Sequence, residues 1–275
     1  MKRIVAHHSP DIDAIGAIWL IHRHLPHWKS ASVELVSAGR TLFDMPPDSD
    51  PDIIHVDTGL GRFDHHDTSD FTSATRLVFD FLVDEGHIKE QEHDALERIV
   101  DVITRYDHFQ EAQLDGADDD MHIFSLTYII FGLRTNATKA LELIQLGEDS
   151  LDGILQYMKS KVHAEHIIEK GFTTQSQWGR TLVLETDNDR AMKVAFIKGY
   201  DMVIRYSPSY KNVAFKLHPR NPKTLKKLHT YFVKNDAGAQ WFYHASGRVL
   251  LNASTRDTKE LVTKFSLKEL LGLIT

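Results

Sequence analysis

The sequence predicts an α/β protein of two domains, and three observations carry that expectation. Near the N-terminus, short apolar strand signals alternate with longer helical patterns, the alternation that builds a parallel sheet covered by helices. Two of those strands end in acids or histidines instead of a tight hairpin turn. Near Gly171 the pattern changes to strand signals at short spacing, which marks a second, smaller domain of mixed α/β type. The expected domains are 1–165, with a mostly parallel sheet and helices on both faces, and 175–275.

Taken in order, Lys2 to His8 reads as a short buried strand, and Ala14 to Ile21 as an apolar helix. The polar turn between them carries His7, His8, Asp11 and Asp13, at the carboxyl end of the strand where ligands bind in open α/β sheets. Gly16 is expected to let this helix approach a strand closely. Val33 to Val36 is the next strand, and Asp44 to Asp52, with Pro46, Pro47 and Pro51, a loop. Asp52 to Asp57 is a third strand, again ending in an acid. The turn Thr58 to Gly61 leads from it into Asp64-His65-His66-Asp67. Helices are expected over Ser73 to Val83 and over Gln91 to Tyr106, where Leu96, Ile99, Val100 and Ile103 are spaced for burial and Asp107 closes the pattern. Further helices are expected over about 121–133, 137–146 and 151–170. The second domain offers strands at 181–185, 193–197, 202–206 and 212–217, a helix at 225–234, a strand at 248–251 and a short helix at 267–273. Neither an internal repeat nor a low-complexity segment is present.

At 275 residues, 42% hydrophobic and 26% charged, the chain is long enough and apolar enough to bury a sizeable core. No stretch of 18 apolar residues exists, and the apolar part of the N-terminus is far too short for a signal peptide, so a cytoplasmic location without membrane contact is the expectation. The absence of cysteine excludes disulfides and thiolate metal sites and leaves His, Asp and Glu as ligands. A net charge of −7 does not suit a general nucleic-acid-coating protein. The charge is uneven, however. Asp101, Asp107, Glu111, Asp115, Asp118, Asp119 and Asp120 crowd one segment, whereas Lys193, Lys198, Arg205, Lys211, Lys216 and Arg220 face only Asp201 in another. Ordinary surface charge explains such unevenness as well as an anionic substrate does.

The chemistry concentrates at the two acidic strand ends. Asp11 and Asp13 can each address a different metal ion, His7 lies just before them, and Asp57 can bridge two ions through its two oxygens. Asp64 and either His65 or His66 would complete the shell, with His8 as the rival of His7 and Asp67 available to orient an imidazole. A mixed His/Asp set without sulfur suits Mn²⁺, with Mg²⁺ or Co²⁺ as replacements. Two such ions about 3.5–4 Å apart clamp the attacking and leaving oxygens of a phosphoryl transfer. Each piece alone has an ordinary explanation, since an Asp after a strand is most often a helix cap and a His pair is most often surface. His22, His24 and His27 are read as solvated for that reason.

The combination resembles the DHH phosphoesterase superfamily. His7-x-x-Pro10-Asp11-x-Asp13-Ala14-x-Gly16-Ala17 is similar to its first motif, Asp57 to the lone acid of its second and Asp64-His65-His66 to its third. Ile103-Thr104-Arg105-Tyr106-Asp107 stands where its fourth places an acid on a helix. The superfamily includes RecJ-type exonucleases, nanoRNases, cyclic-dinucleotide phosphodiesterases and family II inorganic pyrophosphatases. The phrase Gly61-Arg62-Phe63-Asp64-His65-His66 most resembles the melanocyte-proliferating-gene type of exonuclease, while the first motif is closer to the RecJ and pyrophosphatase form. The resemblance covers residues 1–110. It implies that His7, Asp11 and Asp57 hold one metal and that Asp13, Asp57, His65 and Asp107 hold the other. It also implies that His66 contacts the phosphate or assists the leaving group, with Asp64 and Asp67 behind the ligands.

By the same resemblance the C-terminal part is a substrate domain that closes over the site. The superfamily's glycine-rich, histidine-bearing segment is absent, and Trp241 to Arg248, with His244 and Arg248, is its nearest stand-in. Arg205, Lys216, His218 and Arg220 are the other candidates for gripping phosphate. The expected function is hydrolysis of short single-stranded nucleic acid, by an exonuclease or oligoribonuclease with a Mn²⁺ pair, Asp57 and His66 being the catalytic residues. The alternatives are a hydrolase of pyrophosphate, polyphosphate or a cyclic dinucleotide, and a catalytically silent metal-binding regulatory protein. The apolar face of 267–273 leaves a homodimer open.

Overall fold

The computed structural model describes residues 1–135, 139–253 and 261–274. The chain is α/β and divides into two compact units, Met1–Lys159 and Ser160–Thr275, the division falling inside one long helix.

In the first unit, β1 (Arg3–His7), β2 (Ser32–Val36) and β3 (Ile53–His55) form a parallel sheet in the order β2-β1-β3. Each parallel pair needs a crossover, and α1 (Ile12–His24) makes the first. Asp11 caps α1 by accepting from the amides of Asp13 and Ala14. Every residue of α1 from Ile12 to Ile21 is buried, so this helix is a central core element. It packs on α2 (Ala74–Asp84) and α3 (Glu90–Asp107). Gly16 serves that helix–helix contact and not the helix–strand packing expected of it. A Cβ there would come within 2.5 Å of Thr75 Oγ1 and 2.9 Å of Ile103 Cδ1.

Three expected helices beyond α3 take a different form. The stretch 121–133 is a 3₁₀ turn, Asp120–Phe124, followed by α4 (Leu126–Thr135). The helices expected at 137–146 and 151–170 are one 30-residue helix, α5 (Ala140–Glu169); the start of the former, at 137 and 138, lies outside the described residues. Gly147 does not break α5. It is a close-approach position, where a Cβ would stand 2.6 Å from Ile15 Cγ2 of α1.

The second unit is a six-stranded sheet in the order β4-β5-β6-β7-β9-β8. Its strands are β4 (Phe172–Ser176), β5 (Gly179–Glu185), β6 (Met202–Tyr206), β7 (Val213–Leu217), β8 (Trp241–Tyr243) and β9 (Val249–Asn252). Alternation sorts its side chains. Leu182, Leu184, Val203 and Ala214 pack with Ala164 and Ile168 of α5 and with α6 (Arg190–Ile197). Val183, Met202, Ile204 and Phe215 pack with α7 (Lys226–Asn235) and α8 (Leu267–Gly272). The strand expected at 193–197 is wrong: these residues end α6. Strands β5 and β6 are parallel neighbours, so the chain between them must cross over, and Ala191, Met192, Val194 and Ala195 are the buried stripe of that crossover helix. Strand β4 has no counterpart in the sequence reading, because Phe-Thr-Thr-Gln-Ser is a polar, largely exposed edge. Among the described residues no helix is long and apolar enough to cross a membrane.

Candidate metal centre

The parallel register builds the site. Arg3 pairs with Ile53 and Val5 with His55, and the same offset of 50 residues carries the last residue of β1, His7, to Asp57. His7 Nε2 lies 3.0 Å from Asp57 Oδ2. Asp57 has left the strand by then: its φ is +55°, and its amide donates to Phe63 O at 2.9 Å. That left-handed turn is tolerated best by Asn, Asp and Gly, and it puts a carboxylate with 5% exposure on the floor of the site. Within the same chain reversal Asp64 Oδ2 accepts from the Leu60 amide at 2.7 Å, and His65 returns to within 3.5 Å of Asp57.

Asp13 is fully buried and clamped on the N-terminus of α2. Its two oxygens accept from the Ala74 amide at 2.7 Å and the Thr75 amide at 2.9 Å. Asp107 ends α3. These elements converge on one atom. His65 Nε2 is buried and has no hydrogen-bond partner, yet it stands 3.5 Å from Asp57 Oδ1, 3.5 Å from Asp107 Oδ2 and 3.7 Å from Asp13 Oδ2. Those separations are longer than hydrogen bonds. The two at 3.5 Å match donors that share a cation about 2.1 Å from each, which sets neighbouring donors about 3.0–3.5 Å apart, and Asp13 lies just beyond. A second donor group, His7, Asp11 and Asp57, shares Asp57 with the first. The buried His/Asp groups can therefore hold metal ions.

The charges point the same way. Burial, with Asp57 and Asp107 close by, pushes Asp13 up to about 7. Burial and Asp57 raise Asp11, and burial raises Asp107 against the pull of His65. Asp57 alone is lowered: burial opposes this, but His65 and His7 prevail. The Asp57 carboxylate, with help from Asp107 and Asp13, lifts His65 to about 9. Acids packed this closely lack positive charge, which a divalent ion would supply.

Around this centre, His66 is largely exposed, with Nδ1 2.6 Å from Asp64 Oδ1 and 3.7 Å from Asp57 Oδ1. Asp64 is therefore the acid that orients an imidazole. Asp67 is exposed, and no histidine among the described residues bonds to it. His8 is exposed too, contributing only its amide to Val36 O, so His7 is the site's N-terminal imidazole. Two residues escaped the sequence reading. His108, next to Asp107, groups with His65 and Asp107 and bonds through Nε2 to Thr72 O at 2.8 Å; the adjacent acid–histidine pair at a helix end was its signal. Arg134, in apolar α4, is a minor positive influence on both His7 and Asp11, smaller than that of Asp57, and nothing in the sequence marks it. A cavity of about 300 Å³ opens over the site, lined in part by His7, Asp11, Asp57, Asp64, His66 and Asp107.

The expected phosphate grips lie in the second unit, and most have structural work. Arg205 is buried, donating to Thr186 O and Asn212 Oδ1 at 3.2 Å and pairing with Asp189 at 2.8 Å. Arg248 Nε donates to Asn221 O at 2.9 Å. His218 Nδ1 accepts from the Arg220 amide at 3.1 Å. Lys216 is half-buried on β7, Arg220 is exposed, and His244 is exposed in the β8–β9 turn, bonded to Ser246. Trp241 is stacked on Phe232 at 3.9 Å as core. In the first unit His22 and His24 are not solvated as expected. His22 bridges Glu148 at 2.7 Å and Ala31 O at 3.1 Å, and burial, with Arg23, holds His24 down to about 4.

No family model matches the chain, and no curated protein does. Two solved structures are similar to it over much of its length. An uncharacterized protein from Helicobacter pylori G27 is 10% identical over 100% of this chain and 99% of that one, with a TM-score of 0.29. RecJ in complex with Mg²⁺ from Thermus thermophilus is 11% identical over 92% of this chain and 47% of that one, with a TM-score of 0.30. Neither likeness is close enough to define the fold or the chemistry.

Proposed function

We propose that the protein is a divalent-metal phosphoesterase that hydrolyses short single-stranded nucleic acid from one end. The observation that carries this is the buried Nε2 of His65, which lacks a hydrogen-bond partner yet lies within ion-pair distance of three carboxylates, joined through Asp57 to His7 and Asp11. His7, Asp11 and Asp57 would hold one ion, and Asp13, Asp57, His65 and Asp107 the other, with His108 as a further donor. Mn²⁺ suits the donors, and Mg²⁺ or Co²⁺ can replace it. The ion pair would supply Lewis acidity at the phosphate and lower the pKa of attacking water.

The chain's own residues do the rest. Asp57, on a turn held by the Phe63 carbonyl, fixes the spacing of the two donor groups. Asp64 accepts from Nδ1 of His66 and leaves Nε2 facing the substrate, where the imidazolium form would donate to a phosphate oxygen or to the leaving group.

The test is turnover by Mn²⁺-loaded protein of a panel: RNA and DNA oligomers of a few nucleotides, pyrophosphate and cyclic dinucleotides, with Asp57→Asn as control. Stepwise release of mononucleotides, abolished in Asp57→Asn, supports the proposal. Release of phosphate from pyrophosphate alone replaces the substrate and keeps the site. Metal binding without any turnover makes the protein a silent binder.

A further inference from the structure

Two exposed phenylalanines, Phe71 and Phe109, adjoin the candidate donor His108, the first in space and the second in sequence. Phe71 is 55% exposed, and its ring lies 4.6 Å from that of His108. The His108 ring is in turn 6.3 Å from that of His65. Phe71 belongs to the loop that runs from the Asp64-His65-His66 turn to α2, and that loop is tied down at both ends. The Thr68 amide donates to His65 O at 3.2 Å, and the carbonyl of Thr72, the residue after Phe71, accepts from His108 Nε2 at 2.8 Å. The ring is thus held on a fixed backbone beside the candidate ligands.

Phe109 follows His108 directly and is 76% exposed. Its φ is +55°, a left-handed conformation that a bulky side chain adopts at a cost. A Phe presented to solvent on strained backbone, one residue after a metal-site histidine, gains nothing for folding by being aromatic. What comes to this edge, if the site hydrolyses phosphate esters, is the group attached to the phosphate.

We infer that Phe71 and Phe109 are specificity-determining residues that stack on the base next to the scissile phosphate, so that the site selects nucleotides over base-free phosphates. The inference rests on the phosphoesterase function proposed above. Stacking is tolerant of base identity, because every base has a π face, which suits a trimming enzyme without sequence preference.

The experiment compares kcat/KM for a dinucleotide with that for its abasic analogue, using the full-length Mn²⁺-loaded protein, and measures quenching of a 2-aminopurine-labelled dinucleotide on binding. Phe71→Leu keeps apolar bulk and removes the ring face, and Phe71→Trp keeps the face; Phe109→Leu is made in parallel. The expected result is that Phe71→Leu lowers the dinucleotide-to-abasic preference about tenfold, chiefly through KM, and loses the quench, while Phe71→Trp retains both. An equal preference in wild type and in both leucine variants overturns the inference, whatever the rates. Absence of hydrolysis by the wild type, with a quench that Phe71→Leu removes, overturns the phosphoesterase proposal and leaves the base wall standing.

Discussion

Loading the site with metal should expel protons, and the structure sets how many. A ligating imidazole must be neutral and a ligating carboxylate ionised. In the metal-free protein His65 titrates at about 9, because Asp57 and then Asp107 and Asp13 hold its proton. Relative to the ordinary 6.5, that corresponds to about 3 kcal/mol of preference for the imidazolium. At about pH 7.5 His65 is therefore almost wholly protonated, and Asp13, titrating at about 7, is partly so. Mn²⁺ entering between His65, Asp13, Asp57 and Asp107 should release at least about one proton per chain, and its affinity should rise about tenfold per pH unit until His65 ionises near pH 9. The assay is calorimetric titration in two buffers of different ionisation enthalpy, repeated across that pH range. His65→Gln, which has no ring proton to lose, should remove most of the release along with much of the affinity. Metal binding that releases no proton at about pH 7.5, or an affinity flat between about pH 7 and 9, would refute the assignment of His65 Nε2 as a ligand.

Further outcomes follow from other parts of the structure. Asp64→Asn should keep metal affinity but lower kcat about 10–100-fold, since the amide holds Nδ1 of His66 less well; steady-state rates beside metal titrations check this. Gly16→Ala should destabilise the first unit by about 1–3 kcal/mol, because its Cβ would press on Thr75 and Ile103; a thermal melt reads it. Arg205→Met should weaken the second unit by about 1–3 kcal/mol through the bonds lost at Thr186 and Asn212, and leave KM unmoved; a raised KM at unchanged stability would restore Arg205 to the substrate.

The meeting of His7 and Asp57 was legible in the sequence because the strands that lead to them are parallel and end in the same direction. An apolar run followed by His7 and another followed by Asp57 need only a shared sheet to bring those side chains together. The fixed roles within the set were not legible. That Asp64 and not Asp67 orients His66 depends on the turn from Leu60 to His66. That Asp13 is clamped by α2 depends on a contact 61 residues away in the chain. In the second unit, short apolar runs at close spacing marked β5, β6 and β7, yet a similar run at 193–197 is helix, because parallel β5 and β6 require a crossover. Basic residues there looked like phosphate grips, but a strand in a closed core uses its arginine for the buried carbonyls around it, as Arg205 does.

The central claim is that Asp57 is shared by two metal-binding groups. Anomalous diffraction at the manganese edge from Mn²⁺-soaked crystals addresses it most directly. Two peaks are predicted, one among His7, Asp11 and Asp57 and one among Asp13, Asp57, His65 and Asp107, with Asp57 between them and both lost in Asp57→Asn. A soaked crystal without a peak at either group, or with a peak that Asp57→Asn leaves unchanged, would contradict it.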